Sequence, residues 1–92
     1  MKNVLLTGKL ICSDKDDVAV VVHHLPLHVE LTRAEEGCIS FEVNRSPGSL
    51  EWQVEEKFRD ADAFRAHQER VAESEWGRVT AGMERRYTVE GI

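Results

Sequence analysis

Every second residue between positions 4 and 12 is small or apolar, and this alternation predicts a β-strand with one face in a core. The inward-facing positions of this strand are Val4, Leu6, Gly8, Leu10 and Cys12. The apolar spacing then changes to three and four residues, which predicts an amphipathic helix that begins at Ser13 or Asp14. Pro26 lies within this helix and should kink it or split it in two, and Gly37 should end it.

A β-hairpin is predicted after this helix. Residues 38–45 alternate between apolar and polar side chains, with Ile39, Phe41 and Val43 on one face. The sequence SPGS at residues 46–49 is typical of a turn, and it leads into a second strand over residues 50–58. The inward face of that second strand carries Trp52, Val54, Glu56 and Phe58.

The rest of the chain is predicted to form a second helix and a last strand. Asp60 or Asp62 should cap the helix, and residues 85–89 should form the strand, with Tyr87 and Val89 facing in. The sheet-facing positions of the helix are Ala63, Phe64, His67, Val71 and, at its far end, Trp76. The order of elements predicts a single α+β domain over residues 1–92, with the ferredoxin-like βαββαβ arrangement.

The second face of the predicted sheet is polar, so it should meet either water or a partner sheet with matching charges. We therefore predict a symmetric homodimer that is joined through this face. The polar positions are Thr7, Lys9, Ser40, Glu42, Gln53, Glu55, Lys57, Arg86 and Thr88.

Composition narrows the range of partners. The net charge is −5 and the chain contains no basic run, which argues against nucleic acid and anionic membranes as partners. No apolar run approaches the roughly 20 residues that span a bilayer. The first residues are interrupted by polar ones too soon for a signal peptide. Two cysteines do not make a disulfide framework, so we expect a cytoplasmic protein.

The histidines of the first helix are candidate metal ligands. His24 and His28 lie four residues apart, but Pro26 distorts the turn between them and no third ligand is nearby in sequence. We therefore expect no metal site, although His28 borders the apolar stripe and could reach a pocket. Cys38 has no base beside it in sequence and is interpreted as a buried thiol.

Two polar residues stand out on the inward faces of the second helix and of the third strand. His67 is either a core histidine that is hydrogen-bonded to a neighbour or a proton acceptor at a pocket. Glu56 should pair with a residue such as Arg85, which is the preferred interpretation, or lie in a cavity with a raised pKa. Gly8 lies opposite, and its missing side chain would leave room for such a cavity.

Three short motifs, in this order, resemble the antibiotic biosynthesis monooxygenase (ABM) domain family. They are Glu36-Gly37-Cys38, Glu56-x-Phe58 and Phe64-x-x-His67, within a resemblance that extends from residue 4 to residue 90. The resemblance implies a homodimer whose two sheets face each other as an α+β barrel, with a pocket between sheet and helices in each subunit. Members of the family include cofactor-free quinol oxygenases, haem-degrading enzymes and isomerases of small signalling molecules.

The chain departs from two branches of this family. Haem-degrading members combine an Asn with a Trp and a His, and the matching positions here are Gly8, His67 and Gly77, so no haem chemistry is expected. Quinol oxygenases and isomerases often carry a second His shortly after Phe-x-x-His. The corresponding stretch here, QERVA at residues 68–72, contains none.

The predicted function is a small oxygenase that uses O2 and no cofactor to oxidise an electron-rich aromatic such as a quinol. His67 is the predicted base, and Arg85 or Tyr87 the donor that stabilises the developing oxyanion. The other predicted pocket residues are Gly8, His28, Trp52, Glu56, Phe58, Phe64 and Trp76. The alternatives are a non-catalytic dimer that binds a small apolar metabolite and an isomerase of a small signalling molecule.

Overall fold

The computed structural model describes residues 2–92 as an antiparallel four-stranded sheet with helices on one face. Its elements are β1 Val4–Ile11, α1 Lys15–Arg33, β2 Cys38–Asn44, β3 Glu51–Phe58, α2 Ala61–Ala72, α3 Glu75–Val79 and β4 Glu84–Glu90. The strands are ordered β2-β3-β1-β4, with β1 paired to both β3 and β4. This arrangement confirms the predicted α+β, ferredoxin-like fold.

The core lies between the helices and the inward face of the sheet. Leu6 of β1 is paired with Glu56 of β3 and Val89 of β4, and Leu10 is paired in the same way with Trp52 and Arg85. Because side chains alternate along a strand, these residues all point to the helices. The inward face therefore combines apolar side chains with a few polar ones, and those polar side chains are brought close together.

Helix α1 begins where the sequence predicts and runs through Pro26 without a break. The Asp14 side chain caps it by accepting a hydrogen bond from the Asp17 amide at 3.0 Å. The predicted split at Pro26 is not observed, because residues 15–33 form one helix. Pro26 cannot donate to the Val22 carbonyl, but Val22 lies on an exposed side where water can take that bond.

Gly37 does not end α1, contrary to the prediction. The C-cap residue is Ala34, and Gly37 lies beyond it without a positive φ angle. A side chain at Gly37 would overlap the Cβ atom of Ala63 in α2, so glycine permits close packing of the α1–β2 loop on that helix. The Gly37 carbonyl accepts a hydrogen bond from the Arg59 amide at 2.9 Å, which fixes the same contact.

A β-bulge changes the inward face of β2. Cys38 pairs with Phe58 while Ser40 pairs with Lys57, so Ile39 is an extra residue between them. The prediction that Ile39 shares the inward face of Phe41 and Val43 is therefore wrong. Ile39 is 52% exposed, whereas Cys38 packs against the core.

Trp76 lies on α3, a separate short helix, and not on the second helix as predicted. Helix α2 ends at Ala72, and the Ser74 side chain caps α3 by accepting a hydrogen bond from the Gly77 amide at 3.0 Å. Trp76 is buried, and α3 packs against α1 and α2. Within residues 2–92, no helix is both long and apolar enough to cross a membrane.

Candidate functional site

A cavity of about 290 Å³ lies between the inward face of the sheet and the three helices. Aliphatic and aromatic side chains from all four strands and from α2 and α3 form most of its wall. The polar side chains that line it are His28, Glu56, His67, Gln68, Arg85 and Tyr87. This volume is close to the lower end of the usual range for small-molecule sites, which is roughly 300–1,000 Å³.

Most of the predicted site residues meet at this cavity. Those that line it are His28, Glu56, His67, Trp76, Arg85 and Tyr87. Trp52, Phe58 and Phe64 are buried in the core and do not line it. Phe58 packs against the His67 ring with the ring centroids 4.8 Å apart, so it supports the cavity from behind.

Gly8 lies in the core of the sheet and does not enlarge the cavity. Its φ angle is +152°, which favours glycine, and a Cβ atom there would overlap the Arg86 carbonyl oxygen of β4. The residue therefore allows the backbone of β4 to approach β1 closely. The space expected from its missing side chain is filled by this backbone.

His67 lies on α2 between two carboxyl groups. Its Nδ1 atom is 3.0 and 3.1 Å from the two carboxylate oxygens of Glu35, and its Nε2 atom is 3.6 Å from Oε1 of Glu56. Burial lowers the pKa of His67, although the hydrogen bond with Glu35 opposes this. A neutral ring with a carboxylate at Nδ1 carries its proton there and leaves the Nε2 lone pair free to accept.

Glu35 is a member of the site that the sequence analysis missed. Besides its contact with His67, it forms an ion pair with Arg70, whose Nε lies 2.5 Å from Oε2. The sequence analysis selected its neighbour Glu36, which is exposed and pairs with Arg59. No local signal identifies Glu35, because its partner His67 is 32 residues away.

Glu56 is buried at the cavity and lacks the partner predicted for it. Arg85 instead donates hydrogen bonds to the Thr80 backbone oxygen at 2.9 Å and to the Thr80 hydroxyl at 2.7 Å. The preferred interpretation of a Glu56–Arg85 ion pair is therefore wrong. Among residues 2–92, Oε1 of Glu56 has no hydrogen-bond partner, and burial raises the pKa of the carboxyl to about 7.

His28 and Trp76 form an aromatic wall of the cavity. Their rings are stacked, with centroids 4.5 Å apart and an interplanar angle of 6°. Burial lowers the pKa of His28 to about 3, so the ring is neutral at physiological pH, and its Nδ1 has no hydrogen-bond partner in residues 2–92. No set of three or more candidate side chains within residues 2–92 is placed to hold a metal ion.

Tyr87 and Arg85 supply donors from β4. Burial raises the pKa of the Tyr87 hydroxyl to about 12, so it keeps its proton at neutral pH and can donate a hydrogen bond. Arg85 adds a positive charge whose donors are partly occupied by Thr80. The cavity thus joins one proton acceptor, His67, to donors that can stabilise a developing negative charge on a planar apolar ligand.

Comparisons with known proteins agree with this fold. The profile of a family described as antibiotic biosynthesis monooxygenase matches residues 14–76. The structure of MupZ from Pseudomonas fluorescens is similar with a TM-score of 0.82 at 17% identity, over 99% of this chain and 70% of MupZ. Rv0793 from Mycobacterium tuberculosis gives a TM-score of 0.74 at 21% identity, over 98% of this chain and 94% of that one.

A third similar structure carries a functional description. It is a candidate antibiotic biosynthesis monooxygenase from Nitrosomonas europaea, with a TM-score of 0.75 at 15% identity, over 100% of this chain and 92% of that one. At such identities the likeness of these structures shows the fold alone. No curated protein sequence matches this chain significantly.

Proposed function

The chain belongs to the antibiotic biosynthesis monooxygenase family, and on this premise we propose that it oxidises a small electron-rich hydroxyaromatic with O2 and without a cofactor. The observation that carries the proposal is the position of His67 Nε2, which lies 3.6 Å from the Glu56 carboxyl group in a residue that lines the largely apolar cavity. Such a reaction needs three things from a protein: a base, hydrogen-bond donors and a site that excludes water.

The dihydroxyaromatic and O2 supply all the atoms and electrons that the reaction needs. A dihydroxyaromatic loses a hydroxyl proton, and the resulting phenolate passes one electron to O2. Superoxide and the aromatic radical then combine at a ring carbon to form a hydroperoxide. The ring carbon then loses its proton as the O–O bond breaks, which leaves one oxygen atom on the ring as a carbonyl and releases the other as water, so that a hydroquinone gives a hydroxyquinone.

Three side chains have separate roles in this proposal. His67 accepts the hydroxyl proton at Nε2 and returns it to the oxygen that leaves as water. Tyr87 and Arg85 donate to the oxygen on which negative charge develops, in a site where the low dielectric strengthens such contacts. The stacked rings of His28 and Trp76 offer a flat surface to an aromatic substrate.

The proposal also includes a cytoplasmic homodimer joined through the outer sheet face. That face carries charged side chains, among them the ion pairs Lys9–Glu51 and Arg86–Glu84. A two-fold axis between two facing sheets would place such charges opposite one another across the interface.

The proposal predicts that purified protein consumes O2 with simple hydroquinones of one or two rings. His67→Gln should slow this uptake by about 10²-fold or more, since a positioned base typically contributes that much. His23→Gln is the matched control, because His23 lies exposed on α1. An oxygen electrode measures the rates, and melting curves show whether each variant is folded.

Two outcomes would contradict the proposal. Folded His67→Gln protein that keeps the wild-type rate would show that His67 is only a core residue. Saturable quenching of tryptophan fluorescence by the hydroquinones without any O2 uptake would favour a binding protein.

A further inference from the structure

Glu35 lies behind His67 and outside the cavity. Glu35 lines a shallow hollow on the outer surface and its side chain is 19% exposed, whereas the His67 side chain is only 3% exposed. Glu35 contacts His67 at Nδ1, the nitrogen opposite to the one near Glu56. The two carboxyl groups therefore flank the imidazole, Glu35 with a hydrogen bond on the surface side and Glu56 without one on the cavity side.

The backbone and side chain of Glu35 are both fixed. Its amide donates to the Thr32 carbonyl at 3.0 Å, and its carbonyl accepts from the Cys38 amide at 3.1 Å. Its Oε2 atom accepts from Arg70, and Arg70 also donates to the Thr32 hydroxyl at 2.9 Å. Oε2 of Glu35 is thus shared by Arg70 and His67, whereas Oε1 contacts His67.

We propose that Glu35 is the positioning residue of His67: it holds the imidazole proton on Nδ1 and thereby presents the Nε2 lone pair to the cavity. A neutral imidazole carries one proton, and the nitrogen that holds it is set by the hydrogen bond made there. Without an acceptor at Nδ1, the proton could move to Nε2, where the ring could not accept a proton from a substrate.

Glu35 would also stabilise the protonated ring during the reaction. The effect of Glu35 on turnover rests on the proposed function, whereas its effect on the tautomer does not. When His67 takes up the substrate proton, its imidazolium lies near the charged side chains of Glu35 and Arg70. The Glu56 carboxyl group and the His28 ring are its other titratable neighbours. Among these groups Glu35 alone makes a direct hydrogen bond to the ring, so it opposes the cost of burying the charge.

Glu35→Gln tests the proposal because glutamine has one oxygen and one NH2 group in place of two oxygens. Arg70 can only donate, so it should take the oxygen, and the NH2 group should then face Nδ1 of His67. An NH2 group at the Oε1 position would favour the proton on Nε2, because it cannot accept a hydrogen bond from Nδ1. Glu36→Gln is the matched control, because the neighbouring Glu36 side chain is 89% exposed and does not contact His67.

The measurement is the protonation state of both ring nitrogens of His67 by long-range 1H–15N NMR with labelled histidine near pH 7.5. We expect the Nδ1–H form in the wild type and in Glu36→Gln, and the Nε2–H form in Glu35→Gln. We also expect the kcat for O2 uptake to fall on the order of 10²-fold in Glu35→Gln with little change in KM, and Glu35→Asp to restore part of it.

An Nε2–H form in the wild type would overturn the proposal, and so would a Glu35→Gln protein with the wild-type tautomer and rate. The wild-type spectrum decides the point even if Glu35→Gln does not fold. If the wild type consumes no O2 but shows the Nδ1–H form, the proposed reaction fails while the positioning role of Glu35 stands.

Discussion

Glu56 links the stability of the protein to pH. Burial raises the pKa of its carboxyl from 4.5 to about 7, so the folded state favours the neutral acid. Stability from this group is fully present below pH 4.5 and is lost as pH rises to about 7. At about 1.4 kcal/mol per pH unit, this loss amounts to about 3 kcal/mol.

Glu56→Gln should remove this pH dependence, since glutamine does not titrate. Relative to the wild type, the variant should gain about 2–3 kcal/mol in its free energy of unfolding between pH 5 and pH 8. Urea denaturation of both proteins at the two pH values measures the difference. Equal pH dependence in the two proteins would show that Glu56 is not held as a neutral acid.

The comparison with the wild type is necessary because two histidines act in the opposite direction. Burial lowers the pKa of His28 from 6.5 to about 3 and also lowers that of His67. A depressed histidine pKa makes stability fall as pH drops below 6.5. Both proteins keep these histidines, so their contribution largely cancels in the difference.

At the residue scale, the sequence identifies the cavity groups that break an apolar pattern. His67 and Glu56 are polar residues at inward positions, so each had to be partnered or functional. Glu35 could not be found in this way, because it lies in a loop and acquires its role only when α2 packs beside it. The predicted Glu56–Arg85 ion pair does not form, because Arg85 donates its hydrogen bonds to Thr80 instead.

At the scale of elements, the alternation of apolar residues and their helical spacing are enough to predict the strands and the two long helices. Features that depend on packing between elements were not predicted. The bulge at Ile39 is defined by pairing with β3, and α3 is separated from α2 by a cap at Ser74. Pro26 was expected to break α1, but the helix continues through it. The free-energy cost of one lost hydrogen bond is smaller than the stabilisation that the helix gains by packing on the sheet.

Gly8→Ala distinguishes a cavity-forming glycine from one that permits strand pairing. The new Cβ atom would overlap the β4 backbone at a φ angle of +152°, so we expect a loss of about 2–4 kcal/mol in the free energy of unfolding. Gly82→Ala is the control, since a Cβ atom there has no neighbour within 4 Å. Denaturant melts measure both, and a fully stable Gly8→Ala protein would contradict the strand-pairing role.

At the scale of the whole molecule, the helices cover one face of the sheet and leave the other open. We expect light scattering to give twice the chain mass of 10.5 kDa at micromolar concentration. Thr7→Arg, at the middle of β1 on the open face, should lower this mass by placing an unpaired charge in the interface. Val22→Arg, on the exposed side of α1, should not. A wild-type monomer would contradict the dimer.

The fold of the whole chain could be predicted from sequence. For the reaction, the sequence predicts only the class that the family resemblance implies. The shape of the cavity depends on side chains from all seven elements and from the loop before β4, and no local sequence pattern specifies the distances between them. The same holds for His67, because the ring nitrogen that can accept a proton is set by its contact with Glu35.

The most direct test follows the two oxygen atoms of O2. The wild-type protein is supplied with 18O2 and a hydroquinone that it consumes, and product and water are analysed by mass spectrometry. The account predicts one 18O atom in the quinone product and one in water, with little of either in His67→Gln. Hydrogen peroxide as the sole labelled product, or a product without label, would contradict a monooxygenase.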